Sequence, residues 1–442
     1  MVGPRLLRPR LPEMGRALRH RNYRLFFAGQ GISMVGTWMT RVATSWLVYR
    51  LTGSALLLGL VSFAGQVPSF LLAPFAGVLI DRWNRHRILV ATQAVAMVQS
   101  ALLAYFALSG TITVAHVLAL SVLQGVVNAF DMPARQSFVV EMVETREDLP
   151  NAIALNSSLV NGARLIGPSI GGILIAAVGE GWCFTIDAIS YVAVIASLLA
   201  MTVKPRARAV STKRVLAELR EGAAYVFSFS PIRTILLLLA LISFMGVPYS
   251  VLTPIFAAEV LGGGPHTLGL LMGSSGVGAL AGALWLASRR TVVGLGRVLV
   301  MTSSLLGAGL IVYALSRWLW LSVPALLMIG AGMMVSLGAS NTILQTVVDE
   351  DKRGRVMGFY AMSFFGMAPF GSLAAGALAD RFGAPTTVLL CGAATLIGAA
   401  GFARTLPELR RVVRPIYQRL GILPAIAEGL HQTSAMSAAA EE

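Results

Sequence analysis

Twelve apolar blocks, each about 20 residues long or longer, divide this chain of 442 residues. A helix of that length crosses the roughly 30 Å hydrocarbon core of a lipid bilayer. Apolar residues make up 56% of the chain and charged residues only 12%, whereas a soluble domain carries about a quarter of its residues as charges. This balance excludes a soluble enzyme, a secreted disulfide scaffold and a disordered regulator. The sequence predicts an all-α polytopic membrane protein.

The apolar blocks predict twelve transmembrane helices, which we number as spans one to twelve. We place them at residues 23–50, 54–80, 87–109, 112–131, 151–178, 182–203, 232–258, 266–288, 296–315, 318–342, 355–379 and 384–404. Pro168 in span five and Pro369 in span eleven lie 201 residues apart in similar glycine-rich surroundings. Such weak internal symmetry is typical of two related six-helix bundles.

The polar segments divide the chain into five parts. These are a basic N-terminal tail (1–22), an N-terminal bundle (23–203), a linker (204–231), a C-terminal bundle (232–404) and a C-terminal tail (405–442), which we expect to be partly disordered. Within the linker, Thr212 to Phe227 has the pattern of an amphipathic surface helix.

Cationic side chains are concentrated on one side of the predicted topology. With the N-terminus in the cytoplasm, 30 of the 35 Lys and Arg residues fall in cytoplasmic segments. Only Arg50, Arg317 and Arg381 fall in outer loops. The positive-inside rule therefore places both termini in the cytoplasm of a bacterial plasma membrane. The formal net charge of +15 is explained by this topology and by contact with anionic headgroups, so we expect no nucleic-acid partner.

The end of span two and the loop after it carry the sequence GVLIDRWNRHR, residues 77–87. Gly77 allows close helix approach, and Asp81 can accept hydrogen bonds from helix N-terminal amides or from Arg82 and Arg85. The segment resembles the loop 2–3 signature of the major facilitator superfamily, with Asn84 where that family prefers glycine. The resemblance implies a gating contact that favours the outward-facing state. The alternative is a positive-inside loop with an incidental acidic residue.

Span five carries a second motif, formed by Gly167, Pro168, Gly171 and Gly172. Proline leaves a backbone carbonyl unpaired and the glycines thin the helix, so the segment can kink and pack closely. It resembles the motif of drug:proton antiporters in the same superfamily, although Ala163 stands where they often have glycine. Tight packing without a role in transport direction is the alternative.

Further patterns narrow the resemblance to one efflux branch. They are Trp38, Trp46, the LTGS of residues 51–54, Pro68, the DMPAR of residues 131–135 and the RGRVMG of residues 353–358. The branch includes enterobactin exporters and macrolide efflux proteins, and the likeness covers residues 20–405. Ser121 occupies the place of an arginine that much of the superfamily carries in span four, so mechanisms relying on that arginine do not transfer.

Polar side chains within the spans are candidates for a substrate or ion pathway, because ionisable groups in hydrocarbon usually face a wet cavity or a partner. The candidates are Gln30, Thr37, Arg41, Gln124, Asn128, Asn161, Arg164 and Asp187. Deep within the first six spans, two arginines, Arg41 and Arg164, outnumber one acidic residue, Asp187. This balance indicates a cavity that is positive on the side formed by the first half of the chain and suits anionic or strongly polar cargo. In the alternative, Arg41 and Asp187 lie at compatible depths and neutralise each other.

These observations predict the major facilitator fold and a secondary active exporter that works by alternating access and proton antiport. Siderophore-like or macrolide-like cargo is what the resemblance implies. Uptake by symport, lipid translocation and a non-transporting receptor or scaffold are the alternatives. No cluster of nucleophiles or metal ligands supports an enzyme, and we expect no cofactor, a small-molecule substrate and a monomer.

Overall fold

The computed structural model describes residues 15–202, 215–289 and 291–422, and within them every regular element is a helix. The twelve predicted spans are present as long helical segments. Their bounds are Arg21–Thr52, Ala55–Arg82, Arg85–Leu108, Val114–Met142, Leu149–Val178, Glu180–Leu199, Ser230–Val260, Pro265–Ser288, Leu295–Leu315, Leu319–Val347, Lys352–Phe382 and Ala384–Arg419.

Eleven helices of the described chain are long and apolar enough to cross a membrane. Span one is outside this set although its 32 residues are ample for crossing. Its polar residues, Gln30 and Arg41 among them, make it less apolar than the others. The polar span is therefore the one that contributes most to the candidate site described below.

Two spans continue well past the ends expected from hydrophobicity. Span four runs to Met142 instead of ending near residue 131, and span twelve runs to Arg419 instead of ending near residue 404. Leu406, Leu409 and Val413 are buried against the protein, so the first part of the predicted C-terminal tail is a packed helix. Hydropathy marks where hydrocarbon ends, whereas a helix continues as long as tertiary contacts support it. Residues 423–442 lie outside the described chain.

The two halves repeat the same helix packing. In the first half, span one packs on spans five and six, span two on span four, and span three on spans four and six. In the second half, span seven packs on spans eleven and twelve, span eight on span ten, and span nine on spans ten and twelve. This correspondence is the pseudo-symmetry of two six-helix bundles.

Spans two and five of the first half meet spans eleven and eight of the second. We call the membrane face that carries Arg21 and Arg82 the basic face and the other one the far face. A Cβ on Gly172 would lie 2.8 Å from the Cα of Gly269, and one on Gly376 would lie 3.0 Å from the Cα of Gly59. Both glycine pairs lie near the far face, where the backbones touch because neither partner has a side chain.

Toward the basic face the halves separate. Along spans five and eight the contact continues from the glycine pair to Arg164 and Gly276. Further toward the basic face, a Cβ on Gly162 would meet nothing within 4 Å, and Ser158 and Leu284 are exposed. The space between the halves therefore opens to the basic face and is closed at the far face.

The second half contains three π-helical segments. They lie at Ile242–Gly246 and Phe256–Val260 in span seven and at Met362–Gly366 in span eleven. Each segment adds a residue to a helical turn and interrupts the regular backbone hydrogen bonds of the α-helix. Such π-helical turns occur frequently at functional sites. The spans of the first half are continuous α-helices throughout, even across Pro168.

Three further elements lie at the basic face. A 3₁₀-helix at Arg16–Arg19 precedes His20, whose Nε2 is 3.0 Å from Asp148 Oδ2, and Asp148 ends a second 3₁₀-helix at Arg146–Asp148, directly before span five. This hydrogen bond, with Thr145 and Arg16 nearby, lowers the pKa of the Asp148 carboxyl. The linker helix occupies Val215–Ser228, and Glu221 pairs with Arg355 of span eleven at 2.7 Å. The predicted first turn of that helix, from Thr212, lies outside the described residues.

Candidate functional site

Two arginines and one tryptophan come together in the middle of the first half. The guanidinium carbon (Cζ) of Arg41 lies 4.7 Å from the centroid of the Trp38 ring, and that of Arg164 lies 5.7 Å from it. The two Cζ atoms are thus at most about 10 Å apart, where like unit charges repel by about 1–2 kcal/mol at an effective dielectric of about 20. We call Arg41, Arg164 and Trp38 the arginine site.

The span-five motif positions this site. A Cβ on Gly167 would lie 2.5 Å from the Cβ of Trp38, and one on Gly171 would lie 3.2 Å from the Cα of Met39. These glycines let span five contact span one closely enough for Arg164 to reach the Trp38 ring. Gly172, on another side of the same helix, packs on span eight instead. The motif therefore joins the arginine site to the boundary between the halves.

Asp187 of span six lies in a separate polar pocket behind span one. Its Oδ2 accepts hydrogen bonds from Thr40 Oγ1 at 3.0 Å and from Ser100 Oγ at 2.8 Å. Its Oδ1 is buried without a hydrogen-bond partner, beside Gly36, where a Cβ would be only 2.7 Å away. The residue is 1% exposed. We call Asp187, Gly36, Thr40 and Ser100 the Asp187 pocket.

The alternative in which Arg41 and Asp187 neutralise each other is wrong for this structure. No salt bridge joins them among the described residues, because Thr40 faces Asp187 and its neighbour Arg41 faces Trp38. Successive helical residues point about 100° apart, so adjacent side chains serve different sides of the helix. Arg41 and Asp187 lie at compatible depths in the membrane, but the rotation of span one about its axis points Arg41 toward Trp38 and away from Asp187.

A second buried carboxylate, Asp131 of span four, has a different environment. It accepts hydrogen bonds from Thr92 Oγ1 at 3.0 Å and from Gln93 Nε2 at 2.6 Å, and it forms an ion pair with Arg135 one turn away. We call these four residues the Asp131 cluster. Glu259, near the far face, accepts a hydrogen bond from Tyr49 Oη at 3.1 Å.

The remaining predicted pathway residues make mostly local contacts. Thr37 Oγ1 donates to Ser33 O at 3.0 Å and Asn161 Nδ2 to Ser157 O at 2.9 Å, each within its own helix. Gln124 Nε2 donates to Asn128 Oδ1 at 3.1 Å. Gln30 is 4% exposed and so does not line an open cavity in this conformation.

The loop 2–3 motif is anchored within the first half. Arg85 donates to Glu141 Oε1 at 2.9 Å, and Asn84 caps span three by accepting from Arg87 N at 3.3 Å. Arg82 is exposed, and a Cβ on Gly77 would meet nothing within 4 Å. The side chain of Asp81 lies outside the described part. In this conformation no described residue packs closely against Gly77.

Sequence reasoning missed three side chains of the site: Trp38, Thr40 and Ser100. Trp38 was noted only as part of a family pattern, although its position three residues before Arg41 places both on one helical face. Ser100 gave no signal, because span three meets span six only through the tertiary fold.

Comparisons with known proteins agree with this geometry. Residues 16–416 match the family described as transmembrane secretion effector. The staphyloferrin A transporter of Staphylococcus aureus is 25% identical over 372 residues, covering 84% of this chain and 93% of the relative. The multidrug efflux pump Tap of Mycolicibacterium fortuitum is 27% identical over 385 residues, covering 85% and 93%. Macrolide efflux protein A of Streptococcus pyogenes is 23% identical over 388 residues, covering 85% and 94%.

Solved structures show the same fold. A bacterial homologue of the human lysosomal transporter Spinster, in an inward-facing and occupied conformation, superposes with a TM-score of 0.69 at 15% identity. The alignment covers 88% of this chain and 98% of that one. The nucleoside transporter NupG superposes with a TM-score of 0.67 at 12% identity, covering 88% and 99%.

Proposed function

Because the chain belongs to the transmembrane secretion effector family of major facilitator transporters, we propose that it exports a small or medium organic compound. The relatives whose names describe transport of a siderophore, of several drugs or of a macrolide support this class of cargo. Export proceeds by alternating access, in which the two bundles rock around a fixed central site.

One observation carries the proposal. The halves are in contact at the far face and apart at the basic face, and the arginine site lies where this contact ends. Such a conformation admits cargo from the basic face alone. If the basic face is cytoplasmic, as the positive-inside rule requires, this is the loading state of an exporter. Anionic lipid headgroups would then contact the same face, and one chain suffices to form the pathway.

We assign the coupling to protons and the proton-binding group to Asp187. A carrier of protons needs a carboxylate that can be buried with a proton bound and exposed without one. In the described chain Asp131 is paired with Arg135 and Glu259 lies near the far face, whereas Asp187 has hydroxyl donors and no cation. In the outward-open state cargo would leave and a proton would bind Asp187; in the inward-open state that proton would leave to the cytoplasm and new cargo would bind.

Everted membrane vesicles from expressing cells test the function directly. Their lumen corresponds to the outside of the cell, so an acidic lumen should drive accumulation of cargo. We expect at least one of staphyloferrin A, enterobactin and erythromycin to accumulate, and nigericin, which collapses the proton gradient, to abolish the accumulation.

Two results would contradict the proposal. Equal accumulation with and without nigericin would exclude proton antiport. Accumulation in right-side-out vesicles under external acid, but not in everted ones, would show uptake by symport instead. Reporter fusions at both termini check the orientation on which the vesicle assay depends: both should report a cytoplasmic location.

A further inference from the structure

We propose that the arginine site binds the carboxylate group of an organic anion, which makes organic carboxylates the preferred cargo. The inference rests on the proposed export function and specifies the chemistry of what is exported. It follows from the juxtaposition of two guanidinium groups on one indole ring inside the bilayer region.

The first argument is the lack of charge compensation. Several other arginines of the described chain have a carboxylate partner at short distance, among them Arg50 with Glu180, Arg85 with Glu141, Arg135 with Asp131 and Arg355 with Glu221. In the part of the chain that is described, Arg41 and Arg164 have neither an ion pair nor a side-chain hydrogen bond. Each guanidinium instead lies over the indole ring of Trp38. Intramembrane charges of this kind usually serve a substrate.

The second argument is that the two cations are brought together, although they repel each other. Glycine contacts at Gly167 and Gly171 draw span five against span one, and Gly276 of span eight packs on the backbone of Arg164. Packing that served stability alone would gain nothing from placing two like charges on one ring. An anion between the guanidinium groups removes the repulsion, and each planar guanidinium can form two parallel hydrogen bonds to a carboxylate.

The third argument is access. Arg41 is exposed and Arg164 and Trp38 are half-buried, although all three lie in the middle of their helices. The space between the halves opens to the basic face, so a soluble anion reaches the site from there.

Equilibrium binding to the purified full-length protein in neutral detergent tests the proposal. The probes are salicylate, an aromatic carboxylate, and salicylamide, its uncharged analogue of nearly equal shape. We expect salicylate to bind about tenfold or more tightly than salicylamide by calorimetry, and its affinity to fall with added salt. Arg41→Gln and Arg164→Gln should each weaken salicylate about fivefold or more and leave salicylamide unchanged.

Two further variants separate charge from packing. Arg164→Lys keeps the cation but loses the planar pair of donors, so its salicylate affinity should lie between those of the wild type and Arg164→Gln. Arg289→Gln is the control, because Arg289 also stacks on a tryptophan, Trp285, at 5.4 Å, and no other arginine of the described residues lies over that ring. It should bind salicylate as the wild type does. The melting temperature of each variant without ligand verifies folding, and a misfolded glutamine variant is replaced by the corresponding methionine variant, which also removes the charge.

Equal affinities for salicylate and salicylamide, or a wild-type affinity in both glutamine variants, would overturn the inference. The anion at the site could also be a lipid headgroup. Salicylate binding is therefore measured in nanodiscs of phosphatidylcholine with and without the anionic lipid phosphatidylglycerol. Loss of salicylate binding on adding phosphatidylglycerol would mean that the arginines hold a lipid headgroup, which also contradicts the proposal. Proton-driven accumulation of erythromycin, an amine, without salicylate binding would leave export intact and reject this inference alone.

Discussion

The Asp131 cluster and the Asp187 pocket bury the same chemical group in opposite ways. Both carboxylates lie within spans of the first half, at 4% and 1% exposure. Asp131 receives two neutral donors and an arginine, whereas Asp187 receives two hydroxyls and leaves one oxygen without a partner. The difference is that Asp131 has a cation, Arg135, beside it, whereas no described cation pairs with Asp187.

This difference separates a structural acid from one that can change its charge. A carboxylate that pairs with an arginine in a buried site compensates the charge of that arginine, and removing either partner leaves the other charge unpaired. A carboxylate with hydroxyl donors alone keeps those contacts when a proton binds, because the accepting oxygen and the protonated oxygen can differ. The Asp131 cluster therefore contributes to the fold, and the Asp187 pocket can contribute to a transport cycle.

The largest effect is expected on breaking the Asp131 cluster. Arg135→Gln leaves the charge of Asp131 buried without its partner and should destabilise the protein by about 3 kcal/mol or more. Thermal unfolding of the purified protein in detergent measures the loss. Adding Asp131→Asn to the same chain removes the unpaired charge and should restore most of the stability. An unchanged melting temperature of the Arg135→Gln protein would show that the ion pair with Arg135 does not stabilise the buried carboxylate of Asp131.

A smaller effect is expected at the Asp187 pocket. Thr40→Val removes one hydroxyl donor at constant shape and should cost about 1–2 kcal/mol in the same unfolding assay. Thr185→Val in span six is the matched control, because the Thr185 hydroxyl donates within its own helix, to the carbonyl of Gly181 at 2.8 Å. It should unfold close to the wild type. A larger loss for Thr185→Val than for Thr40→Val would refute the assigned hydrogen bond.

Hydrophobicity predicted the helices well because the bilayer imposes one length on every span. It misplaced the ends of spans four and twelve, where the helices continue on tertiary contacts to Met142 and Arg419. The two arginines of the site were found from sequence, because a charge within an apolar block is conspicuous by itself.

The partners of these charges were not predictable in the same way. Thr40 and Arg41 are neighbours in sequence but face Asp187 and Trp38 respectively. The rotation of a helix about its axis depends on packing against all its neighbours, which hydropathy does not encode. Ser100 reaches Asp187 across 87 residues of chain, and a serine in an apolar helix carries no signal of its own.

The central claim is that Asp187 is the proton-binding group, and Asp187→Asn tests it most directly. The amide keeps an oxygen to accept from Thr40 and Ser100 but cannot release a proton. In vesicles from the variant, we predict that gradient-driven accumulation of cargo falls about tenfold or more, while exchange of labelled for unlabelled cargo without a gradient persists. Glu259→Gln should leave both activities unchanged. Full gradient-driven accumulation by the Asp187→Asn protein would contradict the account.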